Sequence, residues 1–135
     1  MASESDYEQV VELLQASISG MMALYLFGSV ATGSENKESD IDLAFLATEK
    51  CEQKKCWNIA QVLAAKLNRD VDLVDLKTAN TILKKQIVTE GLRLWVAEGM
   101  QTAVDSYEVT IMSQYQHLQA ERHSVVEGFL REYKE

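Results

Sequence analysis

Proline is absent from the 135 residues and glycine is scarce, at six. With no Pro-rich, Gly/Ser-rich or repeated tract there is no linker, so residues 1–135 are expected to form one domain, with about 100–135 as a C-terminal helical segment. Cysteine occurs only at positions 51 and 56. Two are too few for a disulfide scaffold and imply a reducing compartment, so a cytoplasmic location is expected. Basic side chains are the minority, with 13 Lys and Arg against 21 Asp and Glu, giving a net charge of −8. A chain that coats DNA or RNA needs a basic field to displace counterions, so no direct nucleic-acid binding is expected. No apolar run approaches the roughly 20 residues of a membrane span. The opening MASESDYEQ also lacks the basic-then-apolar order of a signal peptide. What remains, 47% hydrophobic and 25% charged residues, is the composition of a globular domain with a core.

Apolar spacing divides the chain into elements. Ser5-Asp6 can cap a first helix, and Tyr7, Val10, Val11, Leu13, Leu14 and Ile18 follow at helical intervals. Met21 to Phe27 is a continuous apolar run stopped by Gly28, which suits a buried strand; Ile41 to Leu46 reads as a second. Cys56 to Leu67 has helical spacing, Val71 to Leu76 (VDLVDL) reads as a third strand, Thr78 to Glu90 as a helix, and Arg93 to Ala97 as a short fourth strand. From Met100 onward, apolar residues recur from Val104 to Tyr133 in steps of three, four and seven, one face of a helix that would be about 50 Å long if unbroken. Gly128 or the His123-Ser124 pair could break it. A helix of that length either wraps the sheet or offers part of its stripe to a partner. With a short helix between the first two strands, the order predicts a mixed α/β (α+β) domain.

Chemistry concentrates between Leu26 and Leu43, LFGSVATGSENKESDIDL. Gly28 has no Cβ, so a phosphate can approach the backbone closely. Ser29 offers a hydroxyl and a backbone N–H, and the residues after it can open a short helix whose N-terminus attracts anions. Ten residues separate Ser29 from Asp40-Ile41-Asp42. Side chains at i and i+2 of a strand share a face, roughly 6.5 Å apart along the backbone. Asp40 and Asp42 would therefore repel one another unless a cation lies between them, and oxygen ligands on one strand suit Mg²⁺ with phosphate oxygens completing its shell. A two-metal site needs a third carboxylate. Asp72 and Asp75 are both available on VDLVDL, but their odd separation puts them on opposite sides of the sheet, so only one can join. The spacing does not choose between them.

Gly28-Ser29, ten residues, Asp40-x-Asp42 and a later acidic strand resemble the nucleotidyltransferase superfamily of polymerase-β-like fold. Over nearly its whole length the chain is similar to the minimal nucleotidyltransferases (MNT), the antitoxins of bacterial HEPN/MNT toxin–antitoxin pairs. The resemblance implies a short mixed sheet backed by helices, with a long C-terminal helix. It implies a catalytic and metal-binding set of Asp40, Asp42 and Asp72, the family pattern selecting Asp72 over Asp75, and a nucleotide-binding pair, Gly28 and Ser29. It implies two Mg²⁺ ions as cofactors, ATP as substrate and a HEPN toxin, expected to be an RNase, as partner. The implied reaction is AMP transfer to a toxin tyrosine. Two other functions compete: a non-catalytic antitoxin that occludes the toxin, and a small-molecule nucleotidyltransferase of the aminoglycoside-modifying kind. Retention of all three carboxylates disfavours the first, since a pure binder has no use for mutually repelling acids. The lack of room for a second substrate domain disfavours the second.

Other conspicuous residues have plainer readings. Thr32, Gly33 and Ser34 serve a loop as readily as a phosphate. Cys51 and Cys56 have no histidine near them in sequence and are not expected to bind metal. His117 and His123 are expected at the surface or an interface, Lys54-Lys55 and Lys84-Lys85 on solvated helix faces, and Trp57 and Trp95 in the core. Lys77, Lys84, Lys85 and Arg93 are the cations available to a triphosphate.

Overall fold

The two most apolar segments pair with each other and carry the rest of the chain. In the computed structural model, which describes residues 4–28 and 40–133, β1 (Met21–Phe27) runs antiparallel to β2 (Ile41–Ala47), from Met21 opposite Ala47 to Phe27 opposite Asp42. Six of the seven residues in each strand are buried. Both are apolar apart from Asp42 because helices cover both faces of the sheet. β3 (Val71–Asp75) joins β2 in parallel, and β4 (Leu92–Val96) joins β1 antiparallel, giving the order β3-β2-β1-β4. This is the mixed sheet the sequence predicts. A parallel pair needs a crossover, and α2 (Gln53–Leu67) supplies it between β2 and β3.

Strand parity sorts the core into two layers. Leu24, Leu26, Leu43 and Phe45 point to one face, where they meet Val10 and Leu14 of α1 (Glu4–Ser17), Ile18 just after it, and Ile59, Ala60 and Leu63 of α2. Ala23, Tyr25, Phe27, Ala44 and Leu46 point to the other, toward Ile87 of α3 (Thr81–Glu90) and Val104 and Ile111 of α4 (Gln101–Tyr133).

Element ends differ from the sequence reading for local reasons. α1 already includes Ser5 and Asp6, so neither stands before the helix as its cap. α2 starts three residues earlier than its apolar pattern, at Gln53, and ends where Asn68 takes a left-handed conformation with φ of 53°. α3 starts three residues later than expected. Residues 76–79 instead turn about the Asp75 carbonyl, which accepts from the N–H groups of Thr78 and Ala79 at 3.1 and 3.2 Å. The Asn80 side chain then caps the helix by accepting from the Leu83 N–H at 2.8 Å.

The long helix is unbroken: α4 has 33 residues and passes through His123-Ser124 and Gly128 without interruption. It covers the sheet with only part of its length. Its first half buries Val104 and Ile111 against the sheet, whereas every residue from 120 to 132 is exposed, including Val125 and Phe129. His117 and His123 lie on this helix at the surface, each beside a glutamate one turn on, Glu121 and Glu127. No helix among the described residues is long and apolar enough to cross a membrane. The short helix expected between β1 and β2, with Ser29, Thr32, Gly33 and Ser34, lies outside the described residues.

Candidate active site

The last residue of β1, the first turn of β2 and the start of β3 meet at one end of the sheet. Phe27 lies opposite Asp42, and Asp42 lies opposite Asp72. Asp42 shares its face with Ala44 and Leu46, and Asp72 shares the same face with Val74. Asp40, exposed and one residue before β2, completes the acidic group. Burial and the neighbouring charges of Asp72 and then Asp40 hold the Asp42 carboxyl above the usual carboxylate range. Asp72 and Asp40 are therefore electrically coupled to Asp42.

Gly28 follows Phe27 with φ of +76°, a conformation that other residues rarely adopt. A Cβ built on it would collide with Oδ2 of Asp42. The sequence reading connects this glycine with phosphate approach; the structure adds that its missing side chain is the space Asp42 occupies.

Asp72 and Asp75, both open in the spacing, have different surroundings. Asp75 is 6% exposed and faces the α2 side of the sheet. Its Oδ2 accepts the Cys51 N–H and its Oδ1 the Lys77 N–H, both at 3.0 Å. Asp75 ties the end of β3 to the loop before α2, with each carboxylate oxygen accepting a backbone N–H. Asp72 is exposed and lies opposite Asp42.

The cations considered for a triphosphate are engaged elsewhere. Nη1 of Arg93 donates to Asp105 Oδ1 at 2.8 Å and to Glu108 Oε2 at 2.7 Å. Nζ of Lys77 donates to the Thr48 carbonyl at 2.7 Å. Lys84 and Lys85 are half-buried rather than solvated, with their ammonium groups 5.8 and 4.9 Å from the ring centres of Tyr107 and Tyr115. Cys51 and Cys56 are free thiols, and burial above all pushes the Cys56 thiol up to about 12.

Trp57 departs from expectation most. Sequence reasoning placed both tryptophans in the core, yet Trp57 is 64% exposed, and Trp95 is half-buried between β4 and α1. The buried stripe of α2 is Cys56, Ile59, Ala60 and Leu63. Trp57 lies one residue, about 100° of helix, away from the start of that stripe. The helical period could have revealed this; apolar character alone obscured it.

Among the described residues no three His, Cys, Asp or Glu side chains already converge tightly enough to hold a metal ion. The donor set nonetheless fits a hard divalent cation, because Asp40, Asp42 and Asp72 offer only oxygens. A positive charge there would also relieve the repulsion that raises Asp42.

The model of the polymerase beta nucleotidyltransferase family matches residues 8–98, which span the whole sheet and the acidic end. The protein adenylyltransferase MntA of Shewanella oneidensis is 42% identical over 122 residues, covering 90% of this chain and 86% of that one. The fold is similar to a toxin–antitoxin crystal structure with AMP-PNP at a TM-score of 0.81 and 40% identity, covering 91% of this chain and 97% of the other. It is also similar to an MNT antitoxin bound to the tri-AMPylated HEPN toxin of S. oneidensis, at 0.78 and 37% identity over 94% and 98% of the two chains. With the family model spanning the sheet and the relatives covered over nearly their whole length, the chain belongs to the polymerase-β-type nucleotidyltransferases, as one of their minimal, MntA-like members.

Proposed function

We propose that this chain is an antitoxin that transfers AMP from ATP to a tyrosine of a HEPN-family toxin, expected to be an RNase, and so silences it in the cytoplasm. The observation that carries the reading is the register placing Asp42 between Phe27-Gly28 and Asp72, with Asp40 beside it. The similarity to MntA and to the complexes with AMP-PNP and an AMPylated toxin supports the choice of nucleotide and acceptor.

In the reaction the tyrosine oxygen forms a bond to the α-phosphorus. The bond from that phosphorus to the bridging oxygen breaks, and pyrophosphate leaves with the electron pair. Asp40, Asp42 and Asp72 would hold Mg²⁺, expected to be two ions, which neutralises charge on the phosphates and on the attacking oxygen. Asp72 is the exposed member of the facing pair and is assigned the acceptor side, where its carboxylate can take the tyrosine proton. Asp42, fixed between two strands, orients the donor side. Gly28 keeps the space beside Asp42 clear, and with Ser29 it is assigned to the triphosphate.

The test is intact mass spectrometry of the cognate toxin after incubation with this chain, ATP and Mg²⁺. Whole AMP increments, lost with EDTA and with Asp42→Asn, are the expected result. A stable complex that neutralises the toxin with no mass gain would replace catalysis by occlusion.

A further inference from the structure

The second edge strand carries a feature that nucleotide chemistry does not use. β3 pairs only with β2, so its outer edge is open among the described residues. The Ile41 N–H donates to the Asp70 carbonyl and the Leu76 N–H to the Phe45 carbonyl, both at 2.9 Å. Backbone groups of a strand alternate from side to side. With the even-numbered residues 70 to 76 turned to β2, the peptide groups of Val71 and Leu73 face the open edge. Beside that edge runs a groove of about 480 Å³ between β3 and α2, lined by Trp57, Gln53, Gln61, Thr78, Asp75 and Asp72. Among the described residues the charged ones that line it, Asp72 and Asp75, are acidic, and Trp57 stands 64% exposed on its wall.

We infer that this groove docks an extended segment of the protein acceptor, a neutral or basic stretch bearing the tyrosine, as an added strand on β3. The inference rests on the adenylyltransfer reading above. Backbone groups of Val71 and Leu73 supply strand pairing without regard to sequence, while the groove beside them selects side chains. Trp57 is the anchor: an exposed indole contributes nothing to the core, but it is the kind of side chain that dominates binding once a partner covers it. The acidic lining selects against an acidic segment. Asp72 lines the groove at the strand edge while its side chain shares the Asp42 face, so a segment paired along β3 runs beside the residue assigned to the acceptor side. A small-molecule acceptor needs neither an open strand edge nor an exposed tryptophan.

The experiment measures steady-state AMP transfer from ATP to the cognate toxin by Trp57→Ala, whose exposure leaves the fold intact. The expected result is a KM for the toxin raised about tenfold or more, a KM for ATP within about twofold of wild type, and an unchanged Tm. In parallel, a benzophenone side chain at position 61 is photolysed in the antitoxin–toxin complex and the cross-linked toxin peptide is identified. A peptide containing or adjoining the AMPylated tyrosine supports the groove. An unchanged toxin KM, or a cross-link only to toxin surface remote from that tyrosine, overturns it. A wild-type chain that transfers no AMP overturns the adenylyltransfer reading and this inference with it. Wild-type transfer with an indifferent Trp57→Ala overturns the groove alone.

Discussion

Leu43 and Phe45 on β2 are completely buried, yet Asp42 on the same strand is half-exposed and repelled by two other acids. The middle of the sheet is apolar on both faces, and the large side chains there, Tyr25 and Phe45, are about 1% exposed or less. The Gly28 end holds like charges and a glycine in a left-handed conformation. Stability and chemistry are thus assigned to different ends of the same strands. Burial of apolar area holds β1 and β2 together firmly enough to tolerate acids at their ends whose mutual repulsion weakens the fold.

Substitutions at the two ends should fail in different ways. Phe45→Ala removes a fully buried ring and is expected to cost about 3–5 kcal/mol, seen as a lower midpoint in urea unfolding. Asp42→Asn should lower AMP transfer by about 10²- to 10³-fold, equivalent to roughly 3–4 kcal/mol of barrier. Its Tm should hold or rise, because the acid it replaces is repelled by Asp72 and Asp40. A drop in Tm comparable to that of Phe45→Ala would break the comparison. Asp75→Ala lies between the two. It leaves the N–H groups of Cys51 and Lys77 without their carboxylate and should cost about 2–3 kcal/mol by thermal or urea unfolding, despite lying only three residues from Asp72. Tyr25→Phe should move stability by less than about 1 kcal/mol. The buried Tyr25 hydroxyl lies near Glu108 and Arg93 but makes no well-formed hydrogen bond, and its burial, then the Glu108 charge, hold its ionisation above the usual tyrosine range.

Much of this was legible in the sequence because it depends on period and adjacency. β1 is a continuous apolar run, β2 is one apart from Asp42, and the i, i+2 spacing of Asp40 and Asp42 already points to a shared acidic end. The same odd spacing that separates Asp72 from Asp75 also announces that only one can join them. The start of α3 was less legible, because Thr78 and Ala79 bond to the Asp75 carbonyl and the helix waits for the Asn80 cap. Trp57 was misread because hydrophobicity was given more weight than its angle on α2.

Residue order alone therefore determined which segments are strands and helices, since these follow from chain-local alternation, whereas the mixed sheet and the acids beside Gly28 were implied by the family resemblance. The tertiary structure sets Asp72, which spacing left open and the family resemblance selects, opposite Asp42, and it alone shows that the missing side chain of Gly28 makes room for a carboxylate and that Trp57 stands beside an open strand edge. Each of those depends on strand register and on which element covers which face. Residues far apart in sequence set both, through the one packing arrangement that buries β1 and β2 on both sides.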